Sequence, residues 1–170
     1  MLKFIRNISL ITLIFTTFQV QAMGMLDFFT IYVFSNMTGT VTINGEPAAG
    51  AEIYRYADHI NDKEYTDSVT TDNNGYFEFG DISTFSLRPI MLQTVINQKI
   101  MIKYKGMEYL AWETTKLNNN KYGEINSEDA SPKLPIQLEC ELTENQEKYQ
   151  VLKIDLLNRR ITGLCNVKNI

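Results

Sequence analysis

The sequence is poor in the residues on which many active sites depend. Of 170 residues, one is histidine (His59) and two are cysteine. A single imidazole leaves little room for a histidine-rich zinc site or a Ser-His-Asp triad. Basic residues are in deficit, with 16 Lys and Arg against 20 Asp and Glu. Phosphate binding needs clustered cations, so nucleic acid is not expected as a partner. Proline numbers four and glycine nine, without a period that would suggest a fibre. What remains is a chain with 44% hydrophobic residues, too many for disorder and enough for one domain or two very small ones.

The first 22 residues read as a targeting segment. Lys3 and Arg6 precede an apolar stretch from Ile8 to Phe18, and Val20-Gln21-Ala22 sets small or modest side chains at −3 and −1 of a cleavage site. A membrane span needs roughly 20 apolar residues, more than this segment supplies. The alternative is an uncleaved anchor. No cysteine follows the apolar run, so lipid attachment is not expected. Cleavage between Ala22 and Met23 leaves residues 23–170 and moves the formal charge from −4 to −6 by removing Lys3 and Arg6. The expected location is the periplasm or the exterior, with no stable membrane insertion after cleavage.

An oxidising compartment gives the two cysteines a meaning. Ile136, Leu138, Cys140 and Leu142 alternate with polar residues on one strand face, and Ile161, Cys165 and Val167 share another. Two inward sulfurs on neighbouring strands favour a structural disulfide, contributing about 3 kcal/mol by loop closure. The competing reading is a reactive thiol, but neither cysteine has a CxxC partner or a flanking base.

Strand patterns dominate the rest. Thr40 to Asn44 alternate and Asn44-Gly45 signals a turn. Ala51 to Tyr56, Tyr65 to Thr71 and Tyr76 to Phe79 follow, the last with Phe77 and Phe79 inward after the turn Asp72-Asn73-Asn74-Gly75. Residues 57–63, including His59, read as an exposed loop. Ile100 to Tyr104 and Met107 to Thr114 flank a Lys105-Gly106 hairpin turn. Residues 117–135 form a long polar loop. Final strands are expected near 136–143, 149–157 and 160–167, with a connection at Asn158-Arg159. Spacing over 86–98 is compatible with one short helix after Pro89. Phe28 to Phe34 reads as a buried leading strand. Seven to nine strands at this spacing predict an all-β sandwich in a single domain.

Residues Gly39-Thr-Val-Thr-Ile-Asn-Gly45-Glu-Pro47-Ala-Ala-Gly50-Ala-Glu-Ile53, followed by Thr71-Asp72-Asn-Asn-Gly75-Tyr-Phe77-Glu-Phe79, resemble the carboxypeptidase regulatory-like domain. The resemblance implies a transthyretin-like (prealbumin-like) β-sandwich without catalytic activity of its own. Phe34-Ser35, Tyr109-x-Ala111-Trp112, Leu138-x-Cys140 and Gly163-Leu-Cys165 make the chain similar to a bacterial exported family of unknown function built on that module. The peptidase domain that accompanies the regulatory module has no room here. Transthyretin-like enzymes that hydrolyse hydroxyisourate rely on several His and Arg residues, which one histidine does not reproduce.

Few residues stand out as sites. Asp58, Asp62, Glu64, Asp67 and Asp72 form an acidic stretch that departs from the calcium-loop pattern and reads as a solvated edge. Glu139 and Glu141 alternate with core residues and read as solvated. Asn36-Met37-Thr38 matches a glycosylation acceptor by chance. Tyr54, Tyr56, Tyr109 and Trp112 could build an aromatic platform for a glycan or a protein, against the commoner role of strand aromatics in packing. No catalytic residue, cofactor or metal is expected. The function expected is non-enzymatic protein binding in the cell envelope, as by an inhibitor or immunity-type protein. The alternative is a carbohydrate or cell-surface adhesion module.

Overall fold

A computed structural model describes residues 30–59, 63–86, 94–126, 131–143, 149–154 and 157–168. Residues 1–22, expected as a targeting segment, the Ala22–Met23 junction, Phe28-Phe29 and Asp62 lie outside the described residues. Described elements are all strands: β1 (Thr30–Phe34), β2 (Met37–Ile43), β3 (Glu46–Pro47), β4 (Glu52–His59), β5 (Lys63–Thr70), β6 (Tyr76–Phe79), β7 (Ile82–Phe85), β8 (Ile96–Tyr104), β9 (Met107–Lys116), β10 (Ile136–Glu141), β11 (Tyr149–Ile154), β12 (Leu157–Thr162) and β13 (Asn166–Val167). The tally exceeds seven to nine because short strands such as β3 and β13 leave almost no alternation to read.

Two sheets enclose one core. The larger runs β11-β12-β9-β8-β4-β5, the smaller β13-β10-β2-β3 with β6 also on β2, and β1 pairs with β7 as a separate ribbon. Ile53, Ile100, Ile102 and Trp112 from the larger sheet join Val41, Phe77, Phe79 and Leu138 from the smaller in one buried cluster. That arrangement is a β-sandwich. Hydrophobic alternation drives it, since each strand hides one face and leaves the other polar. Burying an aliphatic side chain of this kind contributes about 1.5–3 kcal/mol.

Turn chemistry sets the registers. Asn44 and Gly45 both adopt positive φ (51° and 79°), as a two-residue hairpin turn requires. Lys105 and Gly106 do the same between β8 and β9. The pairing of β10 with β2 is parallel, from Ile136 opposite Met37 to Glu141 opposite Thr42. The disulfide Cys140–Cys165 forms as expected, joining residues whose Cα atoms are 4.2 Å apart at the β10–β13 edge.

Several expectations need correction. Residues 57–59 are not loop: β4 runs to His59 and β5 begins at Lys63, with Ala57 fully buried. Their polar composition misled because Asp58 faces outward while Ala57 faces the core. The helix expected over 86–98 gives way at its end to β8, where Ile96 and Gln98 are buried opposite Lys116 and Thr114. Residues 87–93 lie outside the described residues. Asn158 and Arg159 belong to β12, paired with Lys153 and Leu152, rather than to a connection.

A bulge interrupts β9. Ile100 pairs with Trp112 and Met101 with Leu110, so Ala111 is an extra residue. Ala111 and Trp112 are consequently both buried. The Leu110 and Ala111 carbonyls at the bulge receive the chain after β12: Leu164 N–H donates to Leu110 O and Cys165 N–H to Ala111 O. Gly163 permits this approach. It has φ +140°, and a Cβ there would lie 2.3 Å from Ala111 O.

Candidate functional site

Polar side chains gather in two places on the larger sheet, one on each face. On the inner face, polar residues gather where β8 starts and β9 ends, with Gln98 paired with Thr114 and Ile96 with Lys116. Lys116 and Glu124 are both fully buried and 3.2 Å apart. Glu124 Oε1 also accepts from Ser35 N–H (3.0 Å) and Gln98 Nε2 (3.0 Å), while its Oε2 accepts from the Ser35 hydroxyl (2.7 Å). Lys116 Nζ donates to Tyr32 O (2.8 Å), Gln98 Nε2 to Val33 O (2.7 Å) and Tyr122 N–H to the Ser35 hydroxyl (2.6 Å). The segment 117–126, read from sequence as a plain loop, is thereby bolted to the corner between β1 and β2. Sequence reasoning missed this cluster because its members lie up to 89 positions apart, as Ser35 and Glu124 do. Every acid oxygen has donors, so the arrangement is a fastener.

Arg55 lies beside it, 1% exposed, its guanidinium carbon 4.4 Å from the Phe79 ring centre and 5.3 Å from that of Phe34. Its Nη2 donates to Asp67 at 2.9 Å. Burial lowers the Arg55 pKa and Asp67 opposes that effect. Asp67, one of the acidic stretch, therefore serves the core. Asp72 serves a turn, accepting from Asn74 and Tyr76 N–H at 2.8 Å each. Among the described residues no group of acids, His or Cys is placed to hold a metal ion.

Glu141 corrects the reading of a merely solvated carboxylate. Partial burial disfavours its charge, but donors outweigh that: the Thr143 hydroxyl, Gly45 N–H (3.0 Å), Thr143 N–H (3.1 Å) and the Thr42 hydroxyl (2.9 Å). Asn44 N–H adds another at 2.9 Å. The pKa falls to about 2. The side chain ties β10 to the β2–β3 turn. Glu139 instead pairs on the surface with Lys168.

The outer face of the larger sheet is different in kind. Cross-strand pairing lays its residues out in rows. One row runs Tyr56–Lys99–Glu113–Thr162 over β4, β8, β9 and β12, and the next runs Asp58–Asn97–Thr115. Together with Arg160 they line a groove of about 430 Å³. Asn97 Nδ2 donates to Asp58 (2.8 Å) and the Thr115 hydroxyl to Asn97 Oδ1 (3.0 Å). Burial, followed by the neighbouring Glu64 and Asp58, raises the Tyr56 pKa, so the phenol stays protonated and can donate. The row on the other side is Tyr54–Met101–Leu110, beside a second hollow of about 290 Å³ lined by Tyr54, Met101, Lys103 and Glu108.

Of the four aromatics considered for a platform, two take the commoner packing role. Tyr54 and Tyr56 point outward, but Trp112 is fully buried and Tyr109 is 7% exposed, both on the inner face opposite Ile100 and Ile102. The β9 bulge places Trp112 inside although it lies an odd number of residues from Tyr109. Chemically, the outer groove offers two carboxylates, two cations, an amide, hydroxyls and one phenol: a set for recognition through hydrogen bonds.

Fold and face together define a disulfide-linked β-sandwich with an open polar sheet face. The stretch 37–145 matches the model of a domain of unknown function, DUF6795, and the chain belongs to that family. No curated protein matches the chain.

Proposed function

We propose that the chain is a non-enzymatic, protein-binding β-sandwich, exported to the periplasm or beyond, that engages another protein of the cell envelope as an inhibitor or immunity-type protein would. The observation carrying this reading is the open outer face of the larger sheet, with its groove of about 430 Å³ between Tyr56 and Arg160. Mixed charges and hydroxyls over several strands suit a protein surface, which supplies matching donors and acceptors over a similar area. The Cys140–Cys165 bridge suits an oxidising compartment. Kinship with the carboxypeptidase regulatory-like, transthyretin-like modules rests on the 39–79 motifs and agrees with a sandwich lacking catalytic duty.

The test is capture from native envelope extract with the tagged chain. The expected result is a stoichiometric protein partner lost on Lys99→Glu combined with Arg160→Glu, with circular dichroism unchanged. A chain that captures no protein from that extract counts decisively against the reading. The carbohydrate reading keeps one specific support, the phenol of Tyr56 beside Asp58 and Asn97 in the groove. Glycan-array binding lost on Tyr56→Ala would favour it; Trp112→Ala, which opens the core, would not report on it.

A further inference from the structure

The outer face carries more information than its polarity, because its rows differ. Tyr54, Met101 and Leu110 stand opposite one another on β4, β8 and β9. Tyr54 is 41% exposed, and Met101 and Leu110 are half-buried. This apolar row crosses the strands at right angles and spans two inter-strand gaps, about 10 Å. Rows bearing charge flank it on either side, two residues or about 7 Å away along β4 and β8, and on β9 two residues away at Glu108 and, across the Ala111 bulge, three at Glu113. Under β9 the flanks are carboxylates on both sides, Glu108 and Glu113, and under β4 one flank is Glu52. Under the central strand β8 they are Lys103 and Lys99, giving three acids against two bases around the row.

We infer that this row is the seat of an amphipathic, basic-flanked α-helix contributed by a partner protein. Two turns of helix advance about 10 Å from residue i to i+7, the length of the apolar row. Residues i, i+3 or i+4 and i+7 then lie over Tyr54, Met101 and Leu110 in turn. Side chains flanking that stripe reach the charged rows. Lysine or arginine over both ends of the row meets Glu52, Glu108 and Glu113, and an acidic residue at the middle meets Lys99 and Lys103. A second copy of this chain matches less well, since it brings a further net negative charge to an acid-rich row.

This inference rests on the protein-binding reading and names the partner's chemistry. The probe is a synthetic helix-forming peptide of about 15 residues, long enough to be helical when docked. It carries leucine at i, i+4 and i+7 with lysine on both flanks; a counterpart carries glutamate on the flanks. Titration into the full chain, followed by backbone amide shifts, is expected to show the lysine peptide perturbing β4, β8 and β9 and binding at least about tenfold tighter than the glutamate peptide. Met101→Glu is expected to weaken the lysine peptide about tenfold or more. Reversing the exposed pair, Glu108→Lys with Glu113→Lys, is expected to exchange the preference without touching the core. Equal binding of both peptides, binding of neither, or no loss on Met101→Glu in a chain with native circular dichroism overturns the inference. So does a dimer dissolved by Met101→Glu, which assigns the row to a second copy, or a glycan competing at the same residues. Should envelope capture return a partner that Met101→Glu retains fully, this inference falls while the protein-binding reading stands.

Discussion

The two faces of the six-stranded sheet hold comparable sets of polar side chains and use them in opposite ways. On the inner face, Lys116, Glu124, Gln98 and Ser35 meet one another out of water, and Glu124 alone accepts four hydrogen bonds. On the outer face, Asp58, Lys99, Glu113 and Arg160 stand around a groove. A charge buried among fixed donors is costly to disturb, because no water is at hand to replace what its neighbours lose. A charge on the outer face keeps water as a substitute partner and can exchange it for a ligand. Stability therefore depends on the inner set, and the proposed binding falls to the outer one.

The sharpest way to break this contrast is to cut the inner pair. Glu124→Ala leaves Lys116 buried without its counter-ion and is expected to destabilise the protein by about 3–5 kcal/mol, read by urea unfolding. Replacing both residues, Lys116→Met with Glu124→Leu, should be less damaging than the single change. If the single change proves as mild as an outer-face substitution, the contrast fails. Next in size is the covalent tie. Cys140→Ala with Cys165→Ala should cost about 2–4 kcal/mol and free the β13 edge from β10, seen as faster amide exchange at 166–167.

A smaller effect comes from Glu141. Its pKa is lowered from 4.5 to about 2, so its contribution is complete above the unfolded value and is lost as pH falls from about 4.5 towards 2. Solvent reaches this carboxylate and screens it, which limits the contribution to about 1 kcal/mol. Glu141→Gln should flatten the acid limb of the pH–stability curve by that amount, while Glu139→Gln should leave it unchanged. The smallest effect on stability belongs to the outer groove: Glu113→Gln or Asn97→Ala should shift unfolding by no more than about 0.5 kcal/mol, with any larger consequence confined to partner capture.

Local patterns made much of the architecture legible. Alternation in 76–79 and 136–142 predicted inward Phe77, Phe79, Leu138 and Cys140, and all four are buried. The Asn44-Gly45 and Lys105-Gly106 turns and the disulfide were readable for the same reason: each is a short-range signal or the pairing of two unique residues. The inner fastener was not readable. Glu124 sits in a segment of asparagine and charge whose composition says solvent, and its donors come from β8, β9 and the corner after β1. Periodicity alone did not fix the face of Trp112, because a one-residue bulge reverses the face of every side chain beyond it and leaves no sign in the pattern.

By itself, then, the sequence determined the all-β class, the main turns, most inward-facing aliphatics and the cysteine pair. These follow from period-two burial and turn residues, which act over a few positions. The tertiary structure alone decided that β10 runs parallel to β2, that Trp112 is core, that Glu124 is a buried fastener and that Tyr54, Met101 and Leu110 form one row. Each depends on which strands become neighbours and in what register, and that choice is made by contacts between residues far apart in the chain.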